Sequence, residues 1–274
     1  MAFNKRGLIK YFFSFLFLSF CLFSVEKQPW FEDIYEFNLL GKYEYSFFNK
    51  IDKPIQQLTS YSHGNLFYFD LNFVWAPQLS TDVDLQFSTT SMQSFGFRST
   101  AIQMRYLWLD DIVGDFVSLV TSIATRYVSK KSFRDINNPL YGRFSLTGDI
   151  SVGKEIDLDY LRLHFWGDAL VGIPSNGSPW LEGILAFNGV FDDSKIELLL
   201  NGIRGYGKNR FIDVENFNGY GNVRKKILDL QISYSHKMSV WGFLSCGYQR
   251  RLLAKTAPEN VNTFFIEYLY PFSF

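Results

Sequence analysis

Residues Asn262 to Phe274 read NTFFIEYLYPFSF. Phe264, Ile266, Tyr268, Tyr270, Phe272 and Phe274 occupy every second position, and Glu267, Pro271 and Ser273 fall between them. Side chains of a β-strand alternate between its two faces, so this is the period of a strand with one wholly apolar or aromatic side. In water such a strand would invite edge-to-edge pairing, and a terminal segment would fray. The stretch calls for an apolar surrounding.

Working back from it, the same alternation recurs to about residue 35. It predicts strands near 35–47, 66–75, 83–89, 98–108, 116–128, 141–153, 160–173, 180–191, 195–204, 223–236 and 240–253, with 262–274 as the twelfth. In the second, Phe67, Phe69, Leu71, Phe73 and Trp75 oppose Tyr68, Asp70 and Asn72; in the fourth, Ile102, Met104, Tyr106 and Trp108 oppose Gln103 and Arg105. The ninth is hydrophobic on both faces, which leaves its register open. Aromatic content is 19%, yet no window beyond residue 24 is long and apolar enough for a transmembrane helix. Membrane-like aromatics without a helical span are what a transmembrane barrel produces, because its outward and inward residues alternate.

On these features, above all the aromatic last strand ending in Phe274, the chain resembles bacterial outer-membrane β-barrel proteins as a broad class, over residues 35–274. The resemblance implies an all-β fold: a single closed antiparallel barrel of about twelve strands, surrounded by outer-membrane lipid. It implies that Tyr268, Tyr270, Phe272 and Phe274 form the signal read by the barrel-assembly machinery. An even strand number puts both ends of the barrel on the periplasmic side, with short turns there and longer loops outside. The expected turns after the even-numbered strands are short, and those after strands one, five and nine are long, in agreement with that topology. Trp75 and Trp108 then fall in the periplasmic aromatic girdle. A soluble β-sandwich also alternates, but its strands average only about five or six residues.

The chain opens with Lys5, Arg6 and Lys10, then YFFSFLFLSFCLF, then Glu26, Lys27 and Gln28. That order predicts a secretory signal peptide over 1–24 and a short periplasmic segment over 25–34. A retained anchor helix and a lipoprotein cleaved at Cys21 are the alternatives; bulky Phe20 is a poor fit to the small residue needed before a lipidated cysteine. Removal of 1–24 takes three of the 27 basic residues and none of the 27 acidic ones. The remainder is mildly acidic, which argues against nucleic acid as a partner. Only Cys246 would remain, too few for a disulfide or a cysteine metal site.

Residues expected to line the interior include Asp70, Arg105, Arg126, Arg143, Asp149, Arg162, His164, Asp168 and Glu182, together with Asp84, Asp229, Arg251 and Glu267. Two readings follow. The interior is a polar channel for small hydrophilic solutes, with Arg105, Arg126, Arg143 and Arg162 contacting carboxylates or phosphates bidentately; or arginine–carboxylate pairs stitch it shut. Twelve strands enclose more space than the eight that side chains just fill, which favours a passage.

Outer-membrane phospholipases and lipid A deacylases pair a histidine and a serine two positions apart. Ser175-Asn176-Gly177 matches part of that pattern, but Ile173 stands where the histidine should be, and neither His63 nor His236 has a serine at that spacing, so no catalytic residues are expected. Three dispersed histidines make no metal set, and no cofactor is expected. Asp110-Asp111 and Asp192-Asp193 are turn formers. The 205–222 loop, mixing Lys208, Arg210, Asp213 and Glu215 with Tyr206, Phe211, Phe217 and Tyr220, is either a solvated external loop or an adhesive surface. The sequence therefore predicts a porin-like channel, with a non-conducting structural or adhesive barrel as the alternative and a lipid hydrolase as a remoter one.

Overall fold

The computed structural model describes residues 28–56 and 61–273. The expected signal peptide and Phe274 of the assembly signal lie outside them. Twelve strands form one closed antiparallel barrel: β1 (Glu36–Phe48), β2 (Ser62–Ala76), β3 (Leu79–Thr90), β4 (Gly96–Leu109), β5 (Ser118–Val128), β6 (Phe144–Leu158), β7 (Leu161–Pro174), β8 (Trp180–Phe191), β9 (Ser194–Gly205), β10 (Lys226–Lys237), β11 (Phe243–Lys255) and β12 (Asn262–Ser273). Each strand pairs with its neighbours in sequence, and β1 closes the ring on β12 from Glu36↔Ser273 to Phe47↔Asn262. Closure leaves no strand edge, the condition for placing backbone amides in hydrocarbon.

The alternation sorts side chains as expected. Ile102, Met104, Tyr106 and Trp108 are exposed on the outer wall of β4, whereas Ala101, Gln103, Arg105 and Leu107 are buried inside it. On β12, Phe264, Ile266 and Tyr268 face out and Phe265 faces in. The register of β9, open in the sequence, is fixed by its neighbours: Ile196 and Leu198 face out, and Glu197 lies opposite inward Asn188 and Ser233.

The barrel has a turn end, where β1 begins and β12 finishes, and a loop end. Connections 77–78, 110–117, 159–160, 192–193 and 238–242 lie at the turn end; 49–61, 129–143 and 206–225 are the long ones at the loop end. Several boundaries differ from the sequence reading, among them the starts of β3, at Leu79 rather than 83, and of β11, at Phe243 rather than 240. β2 starts at Ser62. β6 runs on through Leu158, because Lys154 to Leu158 pair with Phe165 to Leu161, so the expected 154–159 turn is only two residues. Residues 141–143 and 223–225, expected in strands, leave the wall and fold over the loop end.

There they meet a second core. Phe48, Ile51, Ile136, Tyr141, Leu170, Trp180, Ile212, Phe217, Tyr220 and Val223 form one buried apolar cluster. Tyr141 stacks on Trp180 at 4.3 Å, and Tyr220 Oη donates to Ile136 O at 3.0 Å. A short helix α1 (Lys130–Phe133), a two-residue ribbon joining Lys50–Ile51 to Pro258–Glu259, and hydrogen bonds from Ile55 N to Ile212 O and Ile212 N to Lys53 O tie the loops together. The loop end is capped.

Candidate functional site

The interior between cap and turn end is polar and unevenly filled. Along β2 to β5 most inward polar side chains are buried. Asp70 lies opposite Asp84 and Asn72 opposite Asp82, all buried. Asn72 Nδ2 donates to Asp82 Oδ1 at 2.7 Å, and Arg126 grips Asp84 through both guanidinium nitrogens, Nη1 at 3.2 Å and Nη2 closer still. Asp149 accepts from Ser122 Oγ and from Gln103 Nε2. Arg126 thus pairs with the buried Asp84, while Asp82 and Asp149 accept from neutral donors, as burial of polar groups demands.

Along β9 to β12 and β1 the packing is looser. Lys42 Nζ lies 3.0 Å from Glu44 and 3.8 Å from Glu267, and Lys195 lies 3.4 Å from Glu197. These inward side chains keep 14–27% of their surface open, against 0% for Asp84. Arg126, on the opposite wall, is as open at 26%.

The chain before β1 fills the turn end. Gln28 O accepts from Arg105 Nη2, and the Arg105 guanidinium lies 4.9 Å over the Phe31 ring. The Trp30 indole sits 4.8 Å from the His164 imidazole and against the inward apolar patch of Trp166, Ile184 and Ala186. Its Nε1 donates to Asp111 Oδ1 at 2.9 Å. Asp111 ties this segment to the rim: Oδ1 also accepts from Ser118 Oγ, and Oδ2 accepts from Glu155 N at 2.7 Å. Burial opposes ionisation of Asp111, but the hydrogen bonds from Ser118, Glu155 N–H and Trp30 and the charge of Lys154 outweigh it and hold its carboxyl below the usual range. Residues 28–33 are thus a seated plug.

The expected lumen residues divide accordingly. Asp70, Arg126, Asp149, Asp168 and Glu182 face the interior, Asp70 and Asp168 deeply buried. Arg105 and His164 hold the plug, and His164 Nε2 is also 2.8 Å from Glu155. Two differ from expectation. Arg143 stands just outside β6, exposed, and donates to Tyr127 Oη at 3.4 Å on the outer face, because the chain turns toward the cap there. Arg162 lies at the turn-end rim, half exposed, 2.8 Å from Asp157 and 3.5 Å from Glu155. Each of the four arginines proposed for anion contacts thus has a partner of its own: Asp84 for Arg126, the plug for Arg105, Asp157 and Glu155 for Arg162, and Tyr127 for Arg143. Trp30 and Asp111 belong to the site, although the sequence places Trp30 only in the short segment over 25–34 and marks Asp111 only as a turn former. The segment lacks any hydrophobic period, so only the fold brings it to the lumen.

The hydrolase pattern is not assembled at Ser175. His164 is eleven residues from it along one extended strand, roughly 35 Å at the usual rise. His236 has no serine two positions along its own strand, but cross-strand pairing sets Ser194 Oγ 3.4 Å from His236 Nδ1 and 3.0 Å from Tyr234 Oη on the outer face. No carboxylate orients this histidine among the described residues, which leaves the dyad without its third member. Among the described residues no group of histidine, cysteine and carboxylates converges as a metal site.

No family model and no curated protein matches the chain. Among solved structures, it is similar to an outer membrane channel from Pseudomonas putida F1 at TM-score 0.66 and 12% identity, over 91% of this chain and 100% of that one. It is also similar to the NanC porin at TM-score 0.50 and 6% identity, over 85% of this chain and 98% of that one. At these identities the likeness shows the fold, that of the outer-membrane β-barrels.

Proposed function

We propose that the protein is an outer-membrane channel for small hydrophilic solutes, closed at rest by residues 28–33 at its periplasmic end and by the loop cap outside. The observation that carries the reading is the way the turn end is closed. A barrel serving only as a structural wall needs its interior filled by its own strands, as β2 to β5 do. Here the closure comes instead from a separate segment held by a few side chains, Arg105, His164 and Asp111. It adjoins a lumen whose charges on β9 to β12 and β1 keep part of their surface open. A plug that can leave exposes a polar passage; mixed charge suits hydrated solutes and favours no single sign. The similarity to solved channels is consistent with this reading.

The apolar core of the cap favours a second reading, a silent structural or adhesive barrel, because opening it would cost buried apolar surface. Planar-bilayer recording of the purified protein separates the two. Discrete conductance steps that become more frequent in Trp30→Ala support the channel. A folded Trp30→Ala, Asp111→Ala barrel that stays silent would sink it.

A further inference from the structure

The outer wall carries a groove of about 510 Å³ near the turn end, where β6 to β9 run side by side. Two outward rows of side chains build it. The row nearer the turn end is Lys154, Phe165, Phe187 and Leu198, successive partners across the strands. One step deeper the row is Val152, Gly167, Leu185 and Leu200. Every position in both rows is apolar except Lys154, and Gly167 leaves a notch between Val152 and Leu185. A Cβ at Gly167 would come within 3.1 Å of Leu185 Cδ2, so Leu185 borders the notch closely and a larger side chain at 167 must push it into the groove.

Lys154 stands at the mouth. Its side chain is 42% exposed and its Nζ lies 3.5 Å from Asp111 and 6.0 Å from the Phe116 ring. Asp111 is almost wholly buried and already accepts from Ser118, Trp30 and Glu155, so it anchors the ammonium without enclosing it. The ammonium has three donors, and its ion pair with Asp111 leaves at least two of them for a further partner. Around it, Ile112, Val113, Phe116 and Tyr160 are exposed on the adjoining turns, an apolar and aromatic fringe suited to the level of lipid headgroups.

From this geometry we infer that the groove is a phospholipid site, with the lipid phosphate on Lys154 and one acyl chain passing Phe165 into the Gly167 notch. The direction fits. An acyl chain lies along the membrane normal, and the second row is deeper in the wall than the first. The charge fits as well, since a compact ammonium at the headgroup level complements a phosphate. The occupant is a lipid of the periplasmic leaflet, because the groove opens at the turn end.

Native mass spectrometry of the detergent-solubilised protein with added phosphatidylglycerol tests the site. The wild type is expected to retain one lipid after the others are stripped. Gly167→Leu, which fills the notch on a lipid-facing surface, and Lys154→Ala should each weaken retention at least fivefold, while Lys154→Arg keeps most of it. Gly148→Leu, an outward substitution on β6 outside the groove, serves as control and should leave retention unchanged. Equal retention in Gly167→Leu and wild type would overturn the acyl-chain placement. Equal retention in Lys154→Ala would overturn the phosphate contact, and equal losses in all outward variants would reduce the site to bulk annular lipid. Should Gly167→Leu fail to assemble, Leu185→Ala widens the same notch, and unaltered lipid selectivity there would count against the proposal.

Discussion

Trp30 and Asp111 are 81 positions apart in the chain, and the indole Nε1 donates to the carboxylate at 2.9 Å. This contact joins the plug to the barrel rim and gives it a pH dependence. The Asp111 carboxyl is held below its ordinary range by the bonds it accepts. A carboxyl depressed in the folded state contributes stability that is fully present above the unfolded pKa, about 4, and is lost as pH falls through the lowered value. The seat of the plug should therefore be firm at neutral pH and loosen only under strong acid. Hydrogen–deuterium exchange over residues 28–33 measures it: Asp111→Asn should speed exchange about tenfold at pH 7, in keeping with ~1.4 kcal/mol or more for a bond to a charged group, and should flatten the acid dependence. Unchanged protection in the variant would mean that Arg105 and the apolar patch hold the plug without it.

The cap contains its own titratable group. Lys225 is fully buried, with Nζ 4.4 Å from the centre of the Tyr141 ring and 4.2 Å from that of Tyr220, and without a hydrogen-bond partner among the described residues. Burial, aided by the charge of Arg251, pushes its ammonium down to about 7. In the unfolded cap the amine titrates near 10.4, so between about 7 and about 10.4 the opened loops bind more protons than the closed ones. Stability of the cap then rises with pH across that window. Proteolysis of the 206–225 loop should slow as pH is raised from 7 to 9, and Lys225→Met should abolish the slope and slow cleavage at pH 7. A slope that survives Lys225→Met would assign the effect to another group.

The barrel was legible in the sequence and its closures were not, for a physical reason. Alternation is local: Ile102, Met104, Tyr106 and Trp108 announce an outward face from four positions, and lipid on one side with a polar interior on the other enforces the same pattern in every strand. Trp30, Tyr141 and Lys225 carry no such period. Their places follow from where the closed ring puts Asp111 and Trp180 and where the cap it supports puts Tyr220. Arg143 and Arg162 show the converse error. Parity put both inside, but each stands at a strand end, where the side chain is free to reach a rim partner such as Tyr127 or Asp157. Ser194 and His236 meet through cross-strand register, which sequence spacing along one strand does not reveal.

Gly172 shows how tightly the cap is fitted to the wall. It pairs with Trp180 across β7 and β8, and a Cβ there would lie 2.1 Å from Trp180 Cζ2. Gly172→Ala must push the indole off Tyr141, an overpacking cost of about 1–3 kcal/mol. The midpoint of heat modification on gels should fall, and the 206–225 loop should become protease-sensitive. Gly183→Ala is the control, since its Cβ meets only Asp168 O at 3.8 Å. Equal behaviour of the two would show that Trp180 has room to move.

The Arg126–Asp84 pair tests whether the filled side of the lumen is a scaffold or part of the passage. Asp84 is completely buried while Arg126 keeps 26% of its side chain open. Removing the guanidinium leaves a buried carboxylate unpaired, and breaking such a pair costs ~3–5 kcal/mol. Arg126→Met alone should therefore lower barrel stability sharply, and adding Asp84→Asn should restore much of it by removing the stranded charge. Ion selectivity gives the complementary readout. In the double variant both charges are gone and the net charge of the wall is unchanged, but the exposed member was the cation, so the shift should be toward cations. A restored barrel with unaltered selectivity would confine Arg126 to holding β3 and β5 together and put the conducting path wholly along β9 to β12 and β1.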